Sequence, residues 1–318
     1  MQQSQQRQRA GGVAVRTGRE IQAVRAEGTP EIDADGQRRS SADAVRQLFL
    51  SPQPFYLPPA VGALLGWSLD HAGPMARTAA DVAVLLTALA GYDPRDPASA
   101  KVPVEDYTAT LEQSIAGLRL AVPTNFFFED LTGEARSAFD AAVDVLRVLG
   151  ATVEELHIPQ GELAGVLQAI LLPEAYTYHA LDLAELPEKY PKQLRNRLKG
   201  GGLYLASEYV EAQRARRLLQ EAYQEVLRRY DLMLTPCQTG DAPRYEEMIA
   251  PDYERGPSYT GAFNLTGLPS LAVPAGFSGR GLPLSLLLSG RPFDEATVLR
   301  VAHAYQGATD WHTRHPAV

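Results

Sequence analysis

The chain has 318 residues, a net charge of −8 and 45% apolar against 21% charged residues. That balance excludes disorder throughout and leaves room for one large α/β domain or two smaller ones. A single cysteine, Cys237, excludes an intrachain disulfide and suits a reducing compartment.

No apolar run reaches the roughly 18 residues of a membrane span. No secretory apolar core follows the polar start, MQQSQQRQRAGG. Basic residues read as scattered, so neither a membrane nor direct nucleic-acid contact is expected. The expected location is cytoplasmic. Four of the basic residues are lysine, and none precedes Lys101.

Residues 1–57 form a unit of their own. Nine are glutamine and eight are arginine, and Gly11–Gly12, Gly28, Pro30 and Gly36 interrupt any element that starts. Such a low-complexity segment buries too little surface to offset its ordering entropy, so it is expected to be disordered or to order only on a partner. From Pro58 the pattern becomes that of one α/β domain over 58–318.

Thr78 caps a helix over 79–90, with Asp81 in its first turn and Gly91 after it. Leu118–Val122 reads as a buried strand. A helix from the Thr132 cap to Leu149 follows, with Ala138, Ala142, Val145 and Leu149 on one face, and Thr152–Leu156 alternates as a strand. Strand, helix, strand at this spacing predicts a parallel βαβ unit.

A helix over 163–183 should break at Pro173. Ser207 caps the longest helix, from Glu208 to about Arg229, with the stripe Val210, Leu218, Leu219, Ala222, Val226 and Tyr230. Strands are expected at 231–235, 270–275 and 282–289, the last two joined by a turn at Gly279–Gly281. A final helix over 294–307 is capped by Asp294. These elements predict a mixed β-sheet with helices on both faces.

Three candidate sites fail on inspection. Gly200–Gly202 lacks the lysine and the preceding strand of a phosphate loop and reads as a flexible hinge. His312 and His315 have no third ligand near them, so no metal is expected. Cys237 has no basic partner in sequence and reads as an apolar filler.

Four other segments stand in order. Trp67-Ser-Leu-Asp-His-Ala-Gly-Pro-Met-Ala-Arg-Thr78 precedes Gly91-Tyr-Asp-Pro-Arg-Asp96. Pro173-Glu-Ala-Tyr-Thr-Tyr-His179 precedes Tyr209-Val-Glu-Ala-Gln-Arg-Ala-Arg216. Then come Asp231-Leu-Met-Leu-Thr-Pro236 and Phe263-Asn-Leu-Thr-Gly-Leu-Pro-Ser-Leu-Ala-Val-Pro-Ala-Gly276. This set resembles the amidase signature family of amide hydrolases, which includes the glutaminase subunit of tRNA-dependent amidotransferases. The stretch around Tyr176 and His179 looks more like a general amidase.

The resemblance implies the later part of an amidase-signature fold, truncated at its N-terminal part, with no cofactor and a small-molecule amide as substrate. It implies hydrolysis of C–N bonds by a Ser–Ser–Lys triad, in which a buried neutral lysine takes a proton through a bridging serine. It marks Asp70, Arg77, Tyr176, His179 and Asn264 as residues of the substrate cleft or its scaffold, with Asp70 and Arg77 expected in ion pairs or hydrogen bonds.

The family's Gly-Gly-Ser motif and its lysine belong before Trp67, and neither occurs there. Ser40-Ser41 has no flanking glycine, and arginine cannot shed the proton. No triad residue is identified, and the chain alone is expected to be inactive. Three readings follow. The chain is an amidase whose residues 1–57 come from a shifted frame, one half of a split amidase completed by an N-terminal chain, or a non-catalytic pseudo-amidase that binds a partner. A bare sheet edge and apolar face are expected in each, and with them homo-oligomerisation or association.

Overall fold

A computed structural model describes residues 65–94, 99–158, 163–248, 256–257 and 259–314. The expectations for residues 1–57 and for His315 lie outside them. The described chain forms helix α1 (Ala79–Leu89), strand β1 (Arg119–Pro123), α2 (Gly133–Val148), β2 (Thr152–Leu156), α3 (Leu163–Glu185), α4 (Lys192–Gly201) and α5 (Ala206–Arg229). Then follow β3 (Leu232–Pro236), α6 (Tyr245–Met248), α7 (Gly261–Thr266), β4 (Ser270–Phe277), β5 (Pro283–Gly290) and α8 (Glu295–Gly307). No described helix is long and apolar enough to cross a membrane.

The five strands make one sheet in the order β2-β1-β3-β5-β4. β1 runs parallel to β2 and to β3, whereas β5 is antiparallel to β3 and to β4. The expected βαβ unit is therefore present. β4 and β5 are joined by a turn in which Gly281, at φ 74°, donates to the Ser278 carbonyl at 2.8 Å. Only glycine takes that backbone conformation without a steric cost.

The sheet is mixed and carries helices on both faces. On one face Leu120, Val122, Leu232, Leu234, Leu286 and Leu288 pack against α2 and α8. On the other, Met233 and Leu287 pack with Ile170 of α3, Leu219, Tyr223 and Leu227 of α5, and Phe263 and Leu265 of α7. β3 is buried along its whole length because it lies mid-sheet between both layers. β2 and β4 are the edges of the described sheet, with Ser270 and Ala272 of β4 exposed.

Five local expectations are corrected. The helix at Pro173 does not break. α3 continues through it, because Ile170 and Ala175 on either side are buried in two apolar clusters that hold both halves of the helix. That packing offsets the roughly 3 kcal/mol that an interior proline costs.

Ser207 lies inside α5. Leu205 is the cap residue, and its N–H donates to the Glu208 carboxylate at 2.7 Å. Asp294 sits at the start of α8 without capping it. Its carboxylate stands instead 3.6 Å from Arg291.

The buried stripes are also rotated from those expected. α2 buries Ala135, Phe139, Ala142, Val143 and Leu146. α5 buries Ala212, Leu219, Tyr223 and Leu227, leaving Val210 and Leu218 exposed. In each helix a large aromatic side chain, Phe139 or Tyr223, takes the core position.

Gly200–Gly202 is not a hinge. Gly200 and Gly201 are the last residues of α4, and a Cβ on Gly201 would overlap the Leu172 carbonyl oxygen and stand 2.9 Å from Tyr176 Cβ. The glycine lets α4 lie directly on α3. Gly201→Ala is expected to destabilise the fold by about 2–3 kcal/mol through overpacking. Gly200→Ala, with nothing within 4 Å of its Cβ, is expected to be neutral or stabilising by up to about 1 kcal/mol. Urea unfolding of the two variants checks the contrast.

Candidate functional site

Three of the four sequence segments meet at one polar cluster. Its centre is the turn at Gly66–Asp70, where the Gly66 carbonyl accepts from Leu69 N (3.1 Å) and Asp70 N (2.9 Å). The Asp70 carboxylate closes the turn by accepting from Leu65 N at 2.7 Å.

The turn is clamped from α3. The two oxygens of Glu174 accept from the Ser68 N–H and the Ser68 hydroxyl, each at 2.8 Å. Glu174 Oε1 also accepts from the Tyr209 hydroxyl at 2.9 Å, and that hydroxyl accepts from Gln213 Nε2 at 2.9 Å.

Arg216 completes the clamp from α5. Its Nη1 and Nη2 donate to Ser68 Oγ and the Ser68 carbonyl, each at 2.8 Å, and its Nε donates to the Leu265 carbonyl at 2.7 Å. The planar guanidinium reaches three acceptors at once, which an ammonium cannot do in this geometry. On α7, Asn264 Nδ2 donates to the Leu69 carbonyl at 2.7 Å, and His71 Nδ1 lies 2.7 Å from the same oxygen.

Burial shapes the charges here. It pushes the Tyr209 hydroxyl above its ordinary value, and the Glu174 carboxylate pushes it the same way. Arg216 is lowered by burial, with Glu174 and Tyr209 opposing. The guanidinium remains charged regardless, so the half-buried carboxylate keeps a compensating cation across the Ser68 hydroxyl.

The structure brings Asp70 and Asn264 to this turn and leaves the other expected residues elsewhere. Arg77 is exposed and forms no ion pair or hydrogen bond among the described residues. Tyr176 packs against Gly201, the last residue of α4, and Gly202, which follows it. His179 is buried and its Nδ1 lies 2.9 Å from the Tyr190 hydroxyl. Ser68, Glu174, Tyr209, Gln213 and Arg216 are not singled out by the sequence. The spacing of Tyr209, Gln213 and Arg216 on one helix face is the available signal.

Two further observations bear on chemistry. All four lysines, Lys101, Lys189, Lys192 and Lys199, are exposed. No group of three or more potential metal ligands occurs among the described residues. A surface depression of about 510 Å³ lies between α2 and α8, lined by Ala142, Val145, Ala275, Tyr305 and Trp311, and shares no residue with the polar cluster.

Cys237 follows β3 and packs with the apolar cluster that contains Met233 and Leu287. Burial pushes its thiol up to about 11, against a weaker lowering by Ser285. At pH 8 its alkylation by iodoacetamide should be about 100-fold slower than that of an ordinary thiol, since only the thiolate reacts. Unfolding in urea should restore the ordinary rate.

A family model described as Amidase matches residues 58–299. An amidase from Pseudomonas putida is 44% identical over 264 residues, covering 79% of this chain and 56% of that protein. A glutamyl-tRNA(Gln) amidotransferase subunit from Thiobacillus denitrificans is 38% identical over 276 residues, covering 78% and 57%. A solved structure described as a vestigial protein complex that reveals the evolutionary origins of an s-triazine catabolic enzyme superposes with a TM-score of 0.71 at 27% identity, over 82% of this chain and 56% of that one. The chain thus spans a little over half the length of the curated relatives it matches.

Proposed function

Since this chain belongs to the amidase family, we propose that it supplies the scaffold of an amide C–N hydrolase without a working Ser–Ser–Lys triad of its own. The exposure of all four lysines carries this reading. Burial is what makes a lysine neutral enough to accept a serine's proton, and none of the four side chains is buried. The sequence also contains no Gly-Gly-Ser, so the glycine-rich oxyanion loop has no counterpart either.

What the chain does supply is a rigid wall. The Ser68–Glu174–Arg216 clamp fixes the turn at Gly66–Asp70 to two long helices, leaving that loop little freedom to rearrange. The substrate would be a small carboxylic amide, needing no cofactor, and the location cytoplasmic. A complementing chain bearing a lysine and two serines would complete the site. Exposed apolar side chains in the segment that carries Ser68, Trp67 at 59% and Met75 at 94%, support such association or a homo-oligomer. The intact clamp also favours a second reading, a pseudo-amidase that binds a partner without chemistry.

A serine-directed fluorophosphonate probe tests the proposal. The purified chain is expected to stay unlabelled under conditions that label an intact serine hydrolase. Stoichiometric labelling of any serine would overturn it.

A further inference from the structure

Between Lys189 and Ser207 the sequence carries Lys189, Lys192, Arg195, Arg197 and Lys199 and no acidic residue, in a chain of net charge −8. The basic residues are therefore not scattered, contrary to the expectation from composition. Three of the four lysines of the whole chain fall in this one short stretch.

The fold turns this stretch outward. Leu198 is buried with Ala175 and Leu183 of α3 and anchors α4 by one side. Lys189, Lys192, Arg197 and Lys199 are exposed. Lys192 and Lys199 lie seven residues apart and share a helix face. Lys189, Lys192 and Lys199 enter no ion pair among the described residues. Arg195 bonds the Pro187 carbonyl at 3.1 Å, and Arg197 the Gln168 side chain at 3.3 Å.

Exposed leucines occur in the same stretch: Leu203 and Leu205, in the connection that follows α4, are 82% and 64% exposed. Gly201 and Gly202 hold this corner tight against Tyr176, so the leucines are presented on a fixed frame.

Cations and bare leucines together define the partner. A polyanion such as RNA would satisfy the lysines but leave the leucines in water. An anionic bilayer satisfies both, since headgroups attract the cations while the acyl boundary takes up the apolar side chains. Neither signal suffices alone for stable peripheral binding. We propose that the α4 corner, from Lys189 to Leu205, docks peripherally on an anionic lipid surface. The proposal goes beyond the catalytic reading and does not depend on it.

Co-sedimentation of the full chain with extruded vesicles tests it. At about 50 mM salt, binding is expected to vesicles with about 30 mol% phosphatidylglycerol and not to pure phosphatidylcholine. Raising salt to about 0.5 M should weaken it at least tenfold, as the Debye length shrinks. Lys192→Gln/Lys199→Gln and Leu203→Ser/Leu205→Ser should each lower the partition coefficient about tenfold or more. All four residues are on the surface, and an unchanged thermal midpoint confirms that each double variant folds.

Equal binding to neutral vesicles, or none to anionic ones, overturns the proposal. So does loss with the lysine variant alone while the leucine variant binds as before. In that case single-stranded RNA binding with the same lysine dependence would identify a simple polyanion site.

Discussion

Arg216→Ala is expected to destabilise the fold by about 3 kcal/mol, lowering the thermal midpoint by roughly 6–12 °C for a domain of this size. The side chain donates at 2.7–2.8 Å to Ser68 Oγ, the Ser68 carbonyl and the Leu265 carbonyl. Its removal strands Glu174, which then faces Ser68 and Tyr209 without a nearby cation. Breaking a partly buried charge network in this way costs more than the network adds when intact. A fully buried pair would cost up to about 5 kcal/mol, and partial exposure of the cluster lowers the figure.

The neighbour on the same helix is the control. Arg217 pairs with Glu221 at 2.9 Å, but the two side chains are 69% and 54% exposed. Arg217→Ala should change stability by at most about 0.5 kcal/mol. Arg216→Lys should recover only part of the loss, because one ammonium cannot reach three acceptors. Equal effects of Arg216→Ala and Arg217→Ala would mean that the clamp does not hold the turn.

Much of the framework was legible because its signals are local. Pro123 and Pro236 end β1 and β3, and Gly150 separates α2 from β2. The strand positions follow from these stops to within a residue or two. α4 escaped notice because KQLRNRLKGG has only two apolar residues and ends in glycine. It forms because Leu198 has a buried seat on α3 and the glycines permit contact, and both conditions are tertiary. The rotated stripes of α2 and α5 have a similar cause. Aliphatic side chains marked most of the expected faces, but Phe139 and Tyr223 set the observed ones, and of the stripe expected for α5 only Leu219 and Tyr230 are buried.

The polar clamp could not be read as a unit. Ser68 and Glu174 are 106 positions apart, and Ser68 and Arg216 are 148 apart. No spacing rule pairs residues at such separations. The family resemblance flagged the strings that contain them; of the residues it marked there, Tyr176 packs on Gly201 and Gly202 and His179 lies against Tyr190. Asp70 and Asn264 did meet at the turn, through Leu65 N–H and the Leu69 carbonyl.

The larger expected effect concerns catalysis. In hydrolases whose nucleophile and base act as a unit, losing either lowers turnover by on the order of 10⁶. That is about 8 kcal/mol of barrier at 1.36 kcal/mol per decade. Oxyanion donors ordinarily leave residual catalysis of about 10³–10⁴ when a triad is broken. On the proposed reading the glycine-rich loop that carries them is missing too, since the sequence contains no Gly-Gly-Ser, and that residual catalysis is lost with it. Adding a polypeptide that bears the lysine and both serines should restore turnover if this scaffold can complete a site.

Ammonia release from small primary amides by the purified chain is the most direct measurement. The predicted rate is at least about 10⁶-fold below that of an amidase with an intact triad, and insensitive to a serine-directed fluorophosphonate. Turnover within about a hundredfold of such an enzyme, abolished by that reagent, would contradict the account.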